Sequence, residues 1–77
     1  MAPDEDRKLV YQRCKEAILA ELRAVGATPE IPIDLYRVGP SLIAAGFTQD
    51  EIVTCLDSLV SQKRIEYAGG NRVRLLA

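Results

Sequence analysis

The densest group of chemically active side chains lies in the last stretch of the chain. From Lys63 to Ala77, the cations Lys63, Arg64, Arg72 and Arg74 stand against one acid, Glu66. Such cations neutralise phosphates, and Arg72 borders Gly69-Gly70, a tip slim enough to approach a phosphate or a narrow groove. Just upstream, Thr54, Ser58, Ser61 and Gln62 offer hydrogen bonds that suit bases or phosphates. The charges from Thr48 to Gln62, however, are Asp50, Glu51 and Asp57 alone. Nucleic acid is densely anionic, so the two halves of this region favour opposite ligands.

Other chemistries find no support. The chain has no histidine, which removes the commonest acid–base group. Its acids are spread over separate faces, and Gly69-Gly70 lacks the strand-loop-helix setting of a phosphate-binding loop. No enzyme activity and no cofactor are expected. Cys14 and Cys55 are far apart in sequence, with no His or Cys beside either, so no metal site is expected. Each falls on the apolar side of a helical pattern and reads as a small buried hydrophobe. A secreted disulfide scaffold would carry more cysteines.

With 77 residues, one domain spanning 1–77 is expected, near the lower size limit for a self-sufficient core. Ten basic and eleven acidic residues nearly cancel, so no global attraction to nucleic acid or anionic lipid arises. No stretch is long and apolar enough to span a membrane. Met1 to Asp6 is acidic and polar, unlike the start of a signal peptide. A reducing, cytoplasmic setting is the expectation.

These side chains must be positioned by a small set of elements. Residues 1–3 are expected to be disordered. A first helix should start near Asp4, where Asp4, Glu5 and Asp6 complement the helix dipole. Tyr11, Cys14, Ile18, Leu22 and Val25 make its apolar stripe, with Val10 and Ala17 beside it, and Gly26 is placed as a left-handed cap. Leu9 and Leu19 fall off-centre and could extend an apolar surface to a partner. Pro29 and Pro32 enforce a loop, after which Ile33-Asp34-Leu35 could form a very short strand. A second helix is expected over Leu35 to Ala45, packed through Leu42, Ile43 and Ala44 and disturbed at its start by Gly39-Pro40. Gly46 ends it, and Phe47 precedes the next helix as a staple onto Ile52.

Thr48-Gln49-Asp50-Glu51 has the T-x-x-E form of a capping box. The third helix should run from Gln49 to Lys63, with Ile52, Cys55, Leu56, Leu59 and Val60 inward. Its outward face is then Asp50, Thr54, Asp57 and Ser61, flanked by Ser58 and Arg64. Beyond Lys63 the apolar period changes to two, which is hairpin patterning. A two-residue loop would set Ile65 opposite Arg74 and Tyr67 opposite Arg72, mixing apolar and charged side chains on each face. A three-residue loop, Gly69-Gly70-Asn71, instead pairs Tyr67 with Val73 and Ile65 with Leu75 on the buried face, and Glu66 with Arg74 on the solvent face. Gly70 or Asn71 would take the left-handed position.

The order helix, short strand, helix, helix, strand, strand resembles the winged helix-turn-helix domain over about residues 7 to 76. The pattern Thr48-x-x-Glu51-Ile52-x-x-x-Leu56-x-x-Leu59, with Ile65 following, looks like the recurrent core of small bacterial winged helices. The resemblance implies an α+β fold of three helices with a C-terminal two-stranded hairpin, and a third strand near Ile33. It also implies a function, since such domains usually bind DNA and sometimes bind protein. On the first reading the chain is regulator-like, acts as a homodimer, and contacts DNA through the wing and the amino end of helix 3. The contacting residues would be Thr48, Gln49, Thr54, Ser58, Lys63, Arg64, Arg72 and Arg74. On the second, the acidic face of helix 3 meets a basic protein partner and DNA is not bound.

Overall fold

The computed structural model describes residues 3–76, with side chains from Lys8 onward. Of residues 1–3, expected to be disordered, Met1 and Ala2 lie outside the described residues and Pro3 is the first residue of α1. The described elements are α1 (Pro3–Ala24), β1 (Ile33–Asp34), a 3₁₀ turn (Leu35–Arg37), α2 (Gly39–Ala44), α3 (Gln49–Ser61), β2 (Ile65–Tyr67) and β3 (Arg72–Leu75). The protein is thus an α+β domain of three α-helices and one three-stranded antiparallel sheet, in the order β1-β3-β2.

Each α-helix ends in the same way. Gly26, Gly46 and Lys63 adopt positive φ, and the next residue's N–H returns to a carbonyl five positions earlier: Ala27 to Leu22, Phe47 to Leu42, and Arg64 to Leu59. These are Schellman caps, which satisfy carbonyls that a helix end leaves unpaired. The third uses lysine at φ 59°, a conformation that crowds any Cβ. Lys63→Gly is therefore expected to stabilise the fold by about 0.5–1 kcal/mol, net of the larger unfolded-state entropy of glycine. Urea denaturation checks this, and an unchanged or lower midpoint would show that the lysine is not strained.

The capping box at the start of α3 is formed in both directions. Glu51 N–H donates to Thr48 Oγ1 at 3.1 Å, and Thr48 N–H donates to Glu51 Oε1 at 2.8 Å. The hairpin has the three-residue loop and the register Ile65–Leu75, Glu66–Arg74 and Tyr67–Val73. Gly69, Gly70 and Asn71 all have positive φ. β1 joins the other edge of β3, pairing Ile33 with Val73 and Asp34 with Arg72. The ribbon therefore belongs to a three-stranded sheet with β3 at its centre.

The core is aliphatic. Cys14, Ile18 and Leu22 of α1 meet Cys55, Leu56 and Leu59 of α3, closed below by Ile33, Ile65, Val73 and Leu75 of the sheet. Phe47 and Ile52, the expected staple pair, are both partly buried against this core. Leu19 is also buried, at 3% exposure, so it cannot serve a partner; Leu9 is exposed. The apolar stripe of α1 is wider than one residue per turn because α2 and α3 both pack on it.

The second helix departs from expectation. Gly39-Pro40 splits it into the 3₁₀ turn and a six-residue α2. Asp34 caps the first piece, accepting the Tyr36 N–H at 2.9 Å. Leu35 consequently opens the 3₁₀ turn and does not extend the strand. Packing falls to Val38 and Leu42, both buried, while Ile43 and Ala44 are exposed. The break turns Val38 inward, and Ile43, one residue past Leu42, is rotated by about 100° out of the core.

Candidate functional site

The eight polar residues expected to meet one ligand are divided among four places. Thr48 is engaged at the helix start, with its hydroxyl accepting the Glu51 N–H. Gln49 lines a groove toward α2. Thr54 and Ser58 face the opposite way, into a hollow against α1. Lys63, Arg64, Arg72 and Arg74 belong to the end of α3 and the sheet.

Of the two sheet cations, Arg74 is paired with an acid and Arg72 makes no ion pair among the described residues. Arg74 Nη1 lies 3.1 Å from Glu66 Oε1, as the register requires. Arg72 stands opposite Asp34 on the same outer face, and its Nε points to Gly69 O at 3.4 Å. The outer face of the sheet is thus an alternating pair of acids and bases, which weakens its pull on phosphate. Lys63 and Arg64 are exposed and have no ion pair among the described residues.

Tyr67 was expected on the buried face, but it is 46% exposed. Its hydroxyl donates to Asp57 Oδ1 at 2.8 Å. The phenol lies at the rim of the sheet, where a polar tip can reach the outward side of α3. This bond ties the hairpin to α3 and occupies one of the acids expected to be solvated. Burial and the Asp57 carboxylate together push the Tyr67 phenol up to about 12.

A groove of about 600 Å³ opens between the 3₁₀ turn, α2 and the first half of α3. Leu35, Val38, Pro40, Leu42, Ile52 and Leu56 form its floor and walls. Tyr36, Ile43 and Val53 stand at its edges with 78%, 47% and 55% exposure. The cause is local: a six-residue α2 is too short to cover the Val53 side of α3. Asp50 and Asp57 fall beside Val53 on the outward side of the same helix, and α3 has no cation to offset them. The groove is not legible in sequence because the apolar run around Leu42 points Ile43 into the core and the period of α3 gives Val53 to neither face.

The second hollow, about 330 Å³, is lined by Lys8, Tyr11, Gln12, Lys15, Thr54, Cys55 and Ser58. Lys8, Gln12 and Lys15 recur at steps of four and three on α1, which places them on one side of the core stripe. That spacing was the available signal, masked by the acids interleaved with them.

Below this hollow, the two cysteines meet. Both are free and buried. Cys55 Sγ donates to the Tyr11 carbonyl oxygen at 3.5 Å. Desolvation, then the neighbouring Cys55 thiol, pushes the Cys14 thiol up to about 12. Burial also raises Cys55, opposed there by the neighbouring Cys14 thiol and by the Lys15 charge. A thiol whose folded pKa lies above its unfolded value contributes full stability below about pH 9, lost as pH rises toward the folded value. Tyr67 acts in the same direction between about pH 10 and 12. The urea midpoint is therefore expected to be flat from about pH 7 to 9 and to fall steeply toward pH 12. Cys14→Ala should flatten the first part of that fall. A midpoint independent of alkaline pH would contradict the burial of the Cys14 thiol and the Tyr67–Asp57 bond.

Among the described residues no cluster of three or more His, Cys, Asp or Glu side chains could hold a metal, and no described helix is long and apolar enough to cross a membrane. No protein-family model matches the chain, and no curated protein or solved structure is significantly similar to it.

Proposed function

We propose that this chain is a winged-helix protein-interaction module, in which the groove between α2 and α3 receives an amphipathic, basic helix of a partner protein. The groove itself carries the proposal. It is apolar, it is edged by three exposed hydrophobic side chains, and it lies beside a helix with acids and no cations. Exposed apolar surface of this kind marks interaction sites, and the walls suit i, i+4 anchors of a helix lying in the groove. Asp50, beside Val53 on the outward side of α3, sets the sign of the partner, with the Asp57 carboxylate, held by Tyr67, adding to the negative charge; lysines or arginines flanking the anchors complement them.

Two observations favour DNA as a second reading. Lys63, Arg64 and Arg72 make no ion pair among the described residues, and Thr54 and Ser58 share their hollow with Lys8 and Lys15. These sites lie on separate elements, however, and the outward acids of α3, Asp50 and Asp57, repel phosphates.

A synthetic amphipathic helix of leucine and lysine, labelled with fluorescein, distinguishes the readings by polarisation. Binding in the range of about 1–100 μM is expected, with Asp50→Lys weakening it about tenfold or more. Random duplex DNA at 50 mM salt is expected to bind more weakly than about 100 μM. Micromolar DNA binding that is steeply salt-dependent and lost on Lys63→Ala, Arg64→Ala, Arg72→Ala or Arg74→Ala would replace the first reading with the second.

A further inference from the structure

The cysteines and the α1–α3 hollow together support a site that the interaction groove does not use. In a helix the Cβ points toward the amino end, so the Cys14 thiol lies over the turn that holds Tyr11. Cys55 Sγ approaches that same turn, 3.5 Å from the Tyr11 carbonyl oxygen. The two thiols, forty-one positions apart in sequence, are thus neighbours across the α1–α3 interface. Cys55 also contributes to the wall of the hollow, and Cys14 does not. Two lysines, Lys8 and Lys15, line the hollow together with the polar residues Gln12, Thr54 and Ser58, and no acidic residue does.

We propose that Cys14 and Cys55 are a reversible dithiol–disulfide pair, reached through this hollow by an anionic small-molecule disulfide of the glutathione type. Lys8 and Lys15 attract the carboxylates of the reagent. The Cys55 thiol loses its proton, and its sulfur attacks one sulfur of the reagent. A Cys55 mixed disulfide forms, and one reagent thiolate leaves and takes up the proton. The Cys14 thiol then loses its proton and attacks the Cys55 sulfur, expelling the second reagent thiol. Two protein thiols are oxidised and one small disulfide is reduced to two thiols. The product staples α1 to α3, and burial of both sulfurs in the reduced state makes the exchange slow until that interface opens.

The test uses the full chain under native conditions at about pH 8, with excess glutathione disulfide. The expected product is a monomer lacking two hydrogens, with no thiol titratable after denaturation. Its melting temperature should be raised by about 10 °C or more, and dithiothreitol should reverse the change. Cys14→Ala should stop at the Cys55 mixed disulfide. Lys8→Gln with Lys15→Gln should slow the reaction about threefold or more with glutathione disulfide, and not with the neutral 2-hydroxyethyl disulfide. Two thiols persisting after prolonged exposure, a disulfide-linked dimer, or a wild-type product that halts at the mixed disulfide would overturn the pairing. Equal slowing with both reagents would overturn the route. If the substituted chains fail to fold, the wild-type product still decides the pairing, and the salt dependence of the wild-type rate with each reagent decides the route.

Discussion

Leu59→Ala is expected to cost about 2–5 kcal/mol and to leave little of a stability that, at this length, is roughly 4–12 kcal/mol. Leu59 has no solvent exposure and belongs to the cluster where α1, α3 and the sheet converge. Its carbonyl also accepts the Arg64 N–H that starts the hairpin. A cavity there removes contacts from three elements at once, and a domain this small has few other apolar residues with which to collapse onto it. In urea the midpoint should fall by roughly 2 M or more. Leu9→Ala, at an exposed position of α1, serves as the control and should change stability by less than about 0.5 kcal/mol. Similar costs at both positions would mean that Leu59 does not lie in the core.

Glu substitutions at Ile43 and Val53 are expected to have the opposite profile. Both side chains are about half exposed at the rim of the groove, so stability should change by less than about 1 kcal/mol. Binding of the leucine–lysine helix should nevertheless fall about a hundredfold or more in the double variant. The introduced carboxylates attract lysines, but they must be desolvated to take the place of apolar anchors, and that cost dominates in a groove of this composition. Charge and apolar contact are thereby separated: Asp50→Lys weakens binding through sign, and Ile43→Glu with Val53→Glu through burial. Full binding by the double variant with its fold intact would remove the groove from the account.

The parts of the fold that could be read from sequence are those decided by local or pairwise rules. The Thr48–Glu51 box depends on a four-residue spacing and forms as written. The hairpin register follows from sorting: one slip would place Arg72 or Arg74 inside, and the pleat permits no compromise. The second helix was less legible because its signals conflict. Leu35 to Ala45 is apolar enough for one helix, Gly39-Pro40 argues for a break, and only packing decides that Val38 is buried and Ile43 is not. The same uncertainty concealed the groove, which exists because α2 is short.

The candidate site was less legible still. Sequence orders side chains by chemical type along the chain, whereas a binding surface gathers them by position in space. Thr54 and Ser58 share a helix with Gln49 yet face Lys8 and Lys15 across α1. Arg72 and Arg74 share a strand with no acid in it, but each lies opposite a carboxylate contributed by a neighbouring strand. Cys14 and Cys55 give no sequence signal of proximity, since nothing in the spacing specifies how α1 crosses α3.

The central claim is that the ligand lies between α2 and α3 and not along the hairpin. Amide chemical-shift mapping of the labelled full chain, titrated with the leucine–lysine helix, tests it most directly. The largest shifts are expected at Tyr36, Val38, Ile43, Gln49 and Val53, with Lys63, Arg64, Arg72 and Arg74 little changed. Shifts concentrated on those four cations and the Gly69-Gly70 tip, or no shifts at millimolar peptide, would contradict it.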